Sequence, residues 1–325
     1  MALISVIIPC YNASKYIGKC LKSFEAQKFK DFDIILVDDF STDDTAQIVK
    51  HYIKKSTLDI YYYKNEVNCG PAFSRNKGIQ FSKSKYIAFC DSDDWVEPNL
   101  FTCVYEKIKA NNTDIIFYGY NSVIYTNKGN KINPHKLIVE NNCIQTKSVL
   151  ALPIDSLWSL VVKKEIISNV PAPNLRNGED MAIIPLIIAK CENFDILNKC
   201  LYNYLCRANS ASNTANEQIV NSLVTSFYYI NDNMSDTYRN EVEFIGIKNL
   251  LYGALLILFK YSYDIRKAKL IISDFEKKYS NWINNGYFAC LPTSKKIFLW
   301  CVKKKFFLGI KLLSLLHTAL TTGSY

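Results

Sequence analysis

The chain has 325 residues, 49% hydrophobic and 21% charged, enough apolar material for one large or two modest cores and unlike a disordered or fibrous composition. Lys and Arg outnumber Asp and Glu by 39 to 30, a formal charge of +9, and the excess gathers in the tail, where eight lysines and no acidic residue follow Glu276. The eleven cysteines form no CxxC pair and fall in apolar runs (Cys10, Cys90, Cys191, Cys301), which speaks against a zinc-ribbon pattern and reads as buried reduced thiols of a cytosolic protein.

Leu3 to Ile8 is a nearly continuous apolar segment closed by Pro9, as suits a strand buried on both faces of a parallel sheet. It carries no charged leader and stops before a polar stretch, so no signal peptide is expected. Asn12-Ala13-Ser14 leads into Lys15 to Gln27, where Ile17, Leu21 and Phe24 recur at helical spacing. A second strand, Asp33 to Val37, stops in Asp38-Asp39. Then come a helix over Thr45 to Lys55, a strand over Leu58 to Tyr63, a loop from Asn65 to Pro71, a helix over Ala72 to Phe81, and a strand over Tyr86 to Cys90. This alternation predicts a doubly wound α/β sheet.

Ligands of such sheets bind beyond the carboxyl ends of the strands. Three of those ends are polar: Pro9-Cys10-Tyr11-Asn12, Asp38-Asp39 and Asp91-Ser92-Asp93-Asp94. Carboxylates crowded at a strand exit repel one another, and a hard divalent cation with oxygen ligands relieves them while keeping positions open for phosphate. The other reading is a polar turn in which Asp94 caps a following helix. Neither GxGxxG nor GxxxxGK[ST] occurs, so the usual glycine-rich phosphate loops are excluded.

Four blocks, taken together, carry a resemblance: Val6-Ile7-Ile8-Pro9-Cys10-Tyr11-Asn12, Leu36-Val37-Asp38-Asp39-Phe40-Ser41-Thr42-Asp43, Asn68 to Gly78 with Arg75, and Phe89-Cys90-Asp91-Ser92-Asp93-Asp94. In order and spacing they resemble the family 2 glycosyltransferases of the GT-A fold. The resemblance implies that Pro9, Tyr11, Asn12, Asp38 and Asp39 cradle the base and ribose of a nucleotide sugar, most often a UDP-sugar, and that Arg75 helps to hold the nucleotide. It makes Asp91-Ser92-Asp93 a DxD motif, with Asp91 near the ribose and Asp93 on Mn2+ or Mg2+. The family usually has Gly at the position of Phe40 and Ala at that of Ser74. Each residue also has a plain reading: Tyr11 as a strand-end aromatic, Asp39 as a turn cap, Arg75 as a solvated helix face.

Further on, Ile115 to Tyr118 and Trp158 to Val162 read as strands, and the polar stretch from Asn127 to Asn142 resembles an acceptor-side loop or hairpin. Asn177-Gly178-Glu179-Asp180 opens an apolar helical segment from Ala182 to Ala189. Forming a glycosidic bond needs a base for the acceptor hydroxyl; the resemblance assigns that role to Asp180, with Glu179 assisting, while capping and the helix dipole explain an Asp there equally well. Leu201 to Ser212 resembles the family's Tyr-x-Arg...Ser segment, with Arg207 either steadying the diphosphate or lying on the surface.

The expected organisation is a GT-A domain over residues 1–212, its halves 1–110 for the nucleotide sugar and 111–212 for the acceptor, followed by a basic helical region over 213–325. The apolar run Leu250 to Phe259 is about half the length a spanning helix needs. The tail fits either a peripheral contact with an anionic membrane or a helical cap with a solvated lysine face; no nucleic-acid motif accompanies it. The resemblance implies an inverting, metal-dependent enzyme, cytoplasmic or on the inner face of the cell membrane, that moves a sugar to a glycan or lipid-linked acceptor in surface-polysaccharide synthesis. A catalytically silent nucleotide-sugar or glycan-binding homologue is the alternative.

Overall fold

The computed structural model describes residues 1–126, 129–137, 146–173, 175, 178–207 and 216–322. The chain divides into two compact units: Met1–Thr146, Ile154–Arg176 and Ile187–Arg207 form the first, and Lys147–Pro153, Asn177–Leu186 and Ala208–Tyr325 the second.

In chain order the first unit runs β1 (Ile4–Cys10), α1 (Ile17–Glu25), β2 (Phe32–Asp38), α2 (Thr45–Ile53), β3 (Ile60–Lys64), α3 (Pro71–Phe81), β4 (Tyr86–Phe89), β5 (Trp95–Val96), α4 (Leu100–Asn111), β6 (Ile115–Thr126) and β7 (Gly129–His135). Helix α5 (Thr146–Ala151) follows, then β8 (Leu160–Lys163), α6 (Lys164–Ile167), α7 (Glu179–Ala189) and β9 (Phe194–Leu205). The strands form one mixed sheet in the order β3-β2-β1-β4-β8-β6-β9-β5, with β7 beside β6. Strands β3, β2, β1 and β4 are parallel, as their continuous apolar runs require. Strand β8 is antiparallel to both β4 and β6.

Helix α1 buries Ile17, Cys20, Leu21 and Phe24, one stripe at helical spacing. Phe24, Phe32 and Phe101 meet with ring centroids 5.0–6.2 Å apart, each burial stabilising the unit by about 1.5–3 kcal/mol. Gly78 lies against β1 so closely that a Cβ would stand 2.5 Å from Ile7 Cγ2.

The sequence reading differs from the structure in several places. Strand β1 continues through Pro9 to Cys10, because its pairing with β4 ends at Ile7 opposite Phe89, before the proline's missing N–H matters on that side. Strand β6 runs eight residues past Tyr118, crossing a register irregularity at Gly119, where a Cβ would meet the His135 carbonyl oxygen. The part of the polar stretch at Gly129–His135 is strand β7, paired with β6; 127, 128 and 138–142 lie outside the described residues. Helix α4 and strands β5 and β9 were not read from the sequence.

The second unit is helical. Helix α8 (Glu217–Asn233) begins at Asn216, whose side chain accepts from the Ile219 N–H at 3.0 Å. Helix α9 (Arg239–Gly246), a wider π-wound stretch (Ile247–Ala254) and α10 (Leu255–Tyr261) follow one another without a break. The unit is completed by α11 (Ile265–Lys278), α12 (Thr293–Lys303) and α13 (Phe307–Thr322). A Cβ on Gly246 would stand 2.3 Å from Phe275 and 2.6 Å from Phe227, so glycine allows these rings to close over the helix. The apolar run at Leu250 belongs to a helix, Asp236–Tyr261, that is long and apolar enough to cross a membrane, with mean hydropathy 1.7, yet 61% of that window is buried. It is the centre of the unit's own core.

Candidate functional site

Strand register sets the site. Cys10 pairs with Asp38 and Asp38 with Lys64, so the loops after β1, β2 and β3 leave the sheet level with one another. Hydrogen bonds join them: the Asn12 N–H donates to Ser41 Oγ (3.0 Å), the Thr42 N–H to Asn12 Oδ1 (2.9 Å) and the Ala13 N–H to Thr45 Oγ1 (2.8 Å). Asn12 and Phe40 both take left-handed backbone, with φ of 49° and 67°. Asparagine tolerates that conformation; a Phe does so at a cost, which gives the physical reason for the Gly the family usually has at position 40. Pro9 is half-buried, and Tyr11 exposes 51% of its surface.

The two aspartates after β2 are held by protein. Asp38 is fully buried and accepts from the Ser41 N–H at 2.8 Å and the Tyr62 hydroxyl at 2.6 Å. It therefore shapes the loop from within, held by these two donors. Asp39, 4% exposed, accepts from Asn65 Nδ2 (2.8 Å), the Cys69 N–H (2.8 Å) and the Gly70 N–H (2.7 Å), tying the start of α3 to the end of β2. Asn65 also accepts from Lys77 Nζ at 2.9 Å.

Helix α3 carries Arg75, which is 6% exposed rather than on a solvated face and donates to Asp91 Oδ1 at 2.8 Å. Beyond β4, Asp94 is 1% exposed and caps no helix. It accepts from the Tyr202 hydroxyl and from the Leu205 N–H, both at 2.7 Å, and the same hydroxyl accepts from the Asp91 N–H at 3.0 Å. One tyrosine of β9 thus pins both ends of the acidic turn. Ser92 is half-buried on that turn. Asp93 forms an ion pair with Arg207, whose guanidinium carbon lies 5.0 Å from the Tyr16 ring centroid. Burial and then the neighbouring Asp91 push the Asp93 carboxyl above the usual carboxylate range, against the pull of Arg207; burial, then Asp91 and Asp93, do the same to Asp94.

The structure therefore brings Pro9, Tyr11, Asn12, Asp39, Arg75, Asp91, Ser92, Asp93 and Arg207 to one edge of the first unit. Glu179 and Asp180 stand at the start of α7, in the second unit. Glu179 is 5% exposed and Asp180 is half-buried; before them Gly178 takes φ +82° and its carbonyl accepts from Ser226 Oγ at 2.8 Å. Asn177 and the Ser210 and Ser212 end of the Tyr204 segment lie outside the described residues. Sequence reasoning missed Asn65, Tyr16 and Tyr202. Asn65 is a strand-end polar residue that the same rule finds, whereas Tyr202 is marked only by its pairing across 108 positions to Asp94. Among the described residues no group of three or more His, Cys, Asp or Glu side chains is placed to hold a metal; Asp91 and Asp93 are a pair.

The mixed sheet, whose carboxyl edge presents an acidic turn between two arginines, has the GT-A type of fold. The solved structure of S. aureus TarS 1–349 with UDP has the same fold: TM-score 0.68, 17% identity, covering 98% of this chain and 92% of that one. Residues 5–157 match the family model for glycosyl transferase family 2, and the chain carries a family 2 glycosyltransferase domain. The relatives it resembles include glycosyltransferase GlyA of Streptococcus pneumoniae serotype 4, 30% identical over 68% of this chain. Another is the minor teichoic acid biosynthesis protein GgaB of Bacillus subtilis, 27% identical over 86%. The chain spans about a third of each of those relatives, 33% of GlyA and 31% of GgaB.

Proposed function

We propose that this chain transfers a sugar from a nucleoside-diphosphate donor, a UDP-sugar in the first instance, to a hydroxyl of a glycan or lipid-linked acceptor in bacterial surface-polysaccharide synthesis. The observation that carries the reading is the Arg75–Asp91 pair set beside Asp93 and Arg207 at the carboxyl end of β4, within a family 2 domain. The UDP in the TarS structure and the teichoic acid assignment of GgaB support the donor and acceptor classes. Tyr11, with half its ring free, is suited to lie on the base, with Pro9 and Asn12 shaping the loop beneath it. Asp39 keeps one of a carboxylate's roughly four acceptor positions beyond its three protein donors.

The donor set at Asp91 and Asp93 fits a hard divalent cation such as Mn2+ or Mg2+. It is all oxygen, and Asp93, raised by burial and by the neighbouring Asp91, gains from a nearby positive charge. Asp93, with Asp91, would hold the ion; when bound it supplies charge neutralisation to the departing diphosphate. Arg75 and Arg207 bring fixed positive charge to the same edge. The reaction is a single displacement: the acceptor oxygen bonds to the anomeric carbon, the bond from that carbon to the diphosphate oxygen breaks, and the diphosphate leaves with its electron pair. The hydroxyl proton passes to a carboxylate base, a role we assign to Asp180, with Glu179 assisting, on the strength of their motif. The anomeric configuration inverts.

The test is a thermal-shift titration with UDP, GDP, CDP and dTDP, each with and without Mn2+, on the wild type and Asp93→Ala. Stabilisation by one nucleotide that needs the metal and vanishes in the variant supports the donor site. Folded protein that no nucleotide stabilises sinks the reading. Asp180→Asn, assayed with a donor identified in this way, should keep nucleotide binding and lose transfer by about 10²-fold or more.

A further inference from the structure

The second unit carries an apolar surface its own core does not use. On α13, Leu308, Leu312, Leu315 and Leu316 follow the i, i+4, i+7, i+8 spacing of one helix face and are 47–59% exposed, while Gly309, Ile310 and Ser314 turn inward. Phe307 and Leu313 pack against the core beside Ile310, so the helix meets its own core on one face and leaves the four leucines facing out on the other. On α12, Ile297 (51%) and Trp300 (54%) are exposed while Phe298, Leu299, Cys301 and Val302 are buried, and Phe306 between the helices is 50% exposed. At about 100 Å² each, the four leucines of α13 alone expose roughly 400 Å² along one helix face, the size of the largest apolar patch on an ordinary monomer, which is often functional.

Charge identifies what this surface suits. Lys304 and Lys305 are exposed in the turn between the two helices. Lys269 Nζ stands 5.9 Å from the Phe307 ring, and Lys260 and Lys295 act electrostatically on His317 of α13. No acidic residue follows Glu276 in the sequence. A second copy laid face to face would set these lysines against one another. A nucleic acid would leave the leucines uncovered.

We propose that α12 and α13 form a monotopic membrane anchor: Ile297, Trp300, Phe306 and the four leucines enter the headgroup boundary of an anionic bilayer, and the lysines meet its phosphates. The proposal is independent of the sugar-transfer reading and is tested without activity. Full-length protein is co-sedimented with phosphatidylcholine vesicles, with and without phosphatidylglycerol, at low and high salt. The expected result is binding to the anionic vesicles that falls with salt. It should fall at least about 25-fold in Lys304→Glu/Lys305→Glu, at about fivefold per lysine, and be lost in Leu312→Glu/Leu316→Glu. Those leucines are exposed, so an unchanged melting temperature confirms that the variant is folded. The blue shift of Trp emission on vesicles should vanish in Trp300→Phe. Folded wild type that ignores anionic vesicles overturns the proposal. So does a lipid-free dimer, measured by sedimentation velocity, that Leu312→Glu/Leu316→Glu dissolves, since the face would then be an interface between copies.

Discussion

The contact between Tyr202 and Asp94 clamps the acidic turn after β4, and removing it has a calculable effect. In Asp94→Ala the buried Leu205 N–H and the Tyr202 hydroxyl proton lose their acceptor. Each orphaned group costs about 1–3 kcal/mol, and relief of the repulsion from Asp91 and Asp93 returns part of it. A net loss of about 2–4 kcal/mol is expected. Tyr202→Phe keeps the ring stacked on Trp158, 4.5 Å between centroids, but removes the donor to Asp94 and the acceptor of the Asp91 N–H, costing about 1–3 kcal/mol. The bond between the two side chains is lost in both variants, so the double variant should fall about 1–2 kcal/mol short of the sum. Urea unfolding of the four proteins, with matching m-values, reads this coupling. Costs that add to within about 0.5 kcal/mol would refute the claim that Tyr202 and Asp94 act as one clamp on the turn.

Three further outcomes follow from single contacts. Gly78→Ala puts a Cβ 2.5 Å from Ile7 Cγ2 and should cost about 1–3 kcal/mol; in an Ile7→Ala background, where that methyl is gone, the extra cost should shrink, and an unchanged penalty would point away from the clash. Because the folded state raises the Asp94 carboxyl, it holds that proton more tightly than the unfolded chain does. The associated stability is full below the ordinary carboxylate range of about pH 4 and is lost as pH rises through the raised value, so Asp94→Asn should flatten this part of the stability–pH curve; parallel curves for the two proteins would contradict the assignment. Lys305 takes φ 55° after α12, where the Phe306 N–H reaches the Cys301 carbonyl and the Lys305 N–H that of Val302, both at 2.9 Å. This is the helix stop that glycine favours, and Lys305→Gly should stabilise the second unit by about 0.5–1 kcal/mol, read as a higher urea midpoint.

What could be read from the sequence was what is local. Strands β1, β2 and β4 announce themselves because a strand buried on both faces must be continuously apolar, and the polar residues that end them stand where the parallel register makes the ends level. Strand β9 gives no such signal. Asn198 and Lys199 interrupt its middle, it crosses the irregularity at Gly119, and its partners β6 and β5 lie about eighty and a hundred residues earlier in the chain. Helix α4 did carry a signal, Leu100, Phe101, Cys103 and Val104 buried on one face, and its apolar spacing after Pro98-Asn99 could have been found. The same division runs through the site. A carboxylate's presence at a strand end is a property of the sequence, but whether it faces a ligand depends on donors that folding brings to it. Asp38 and Asp39 are adjacent and alike in sequence; the first is held inside the loop by the Tyr62 hydroxyl and the Ser41 N–H, whereas the second is held by Asn65 and by the backbone that opens α3. Arg75 shows the converse. As a helix residue it could have been solvated, and only the acidic turn 16 positions later turns it into a buried partner of Asp91.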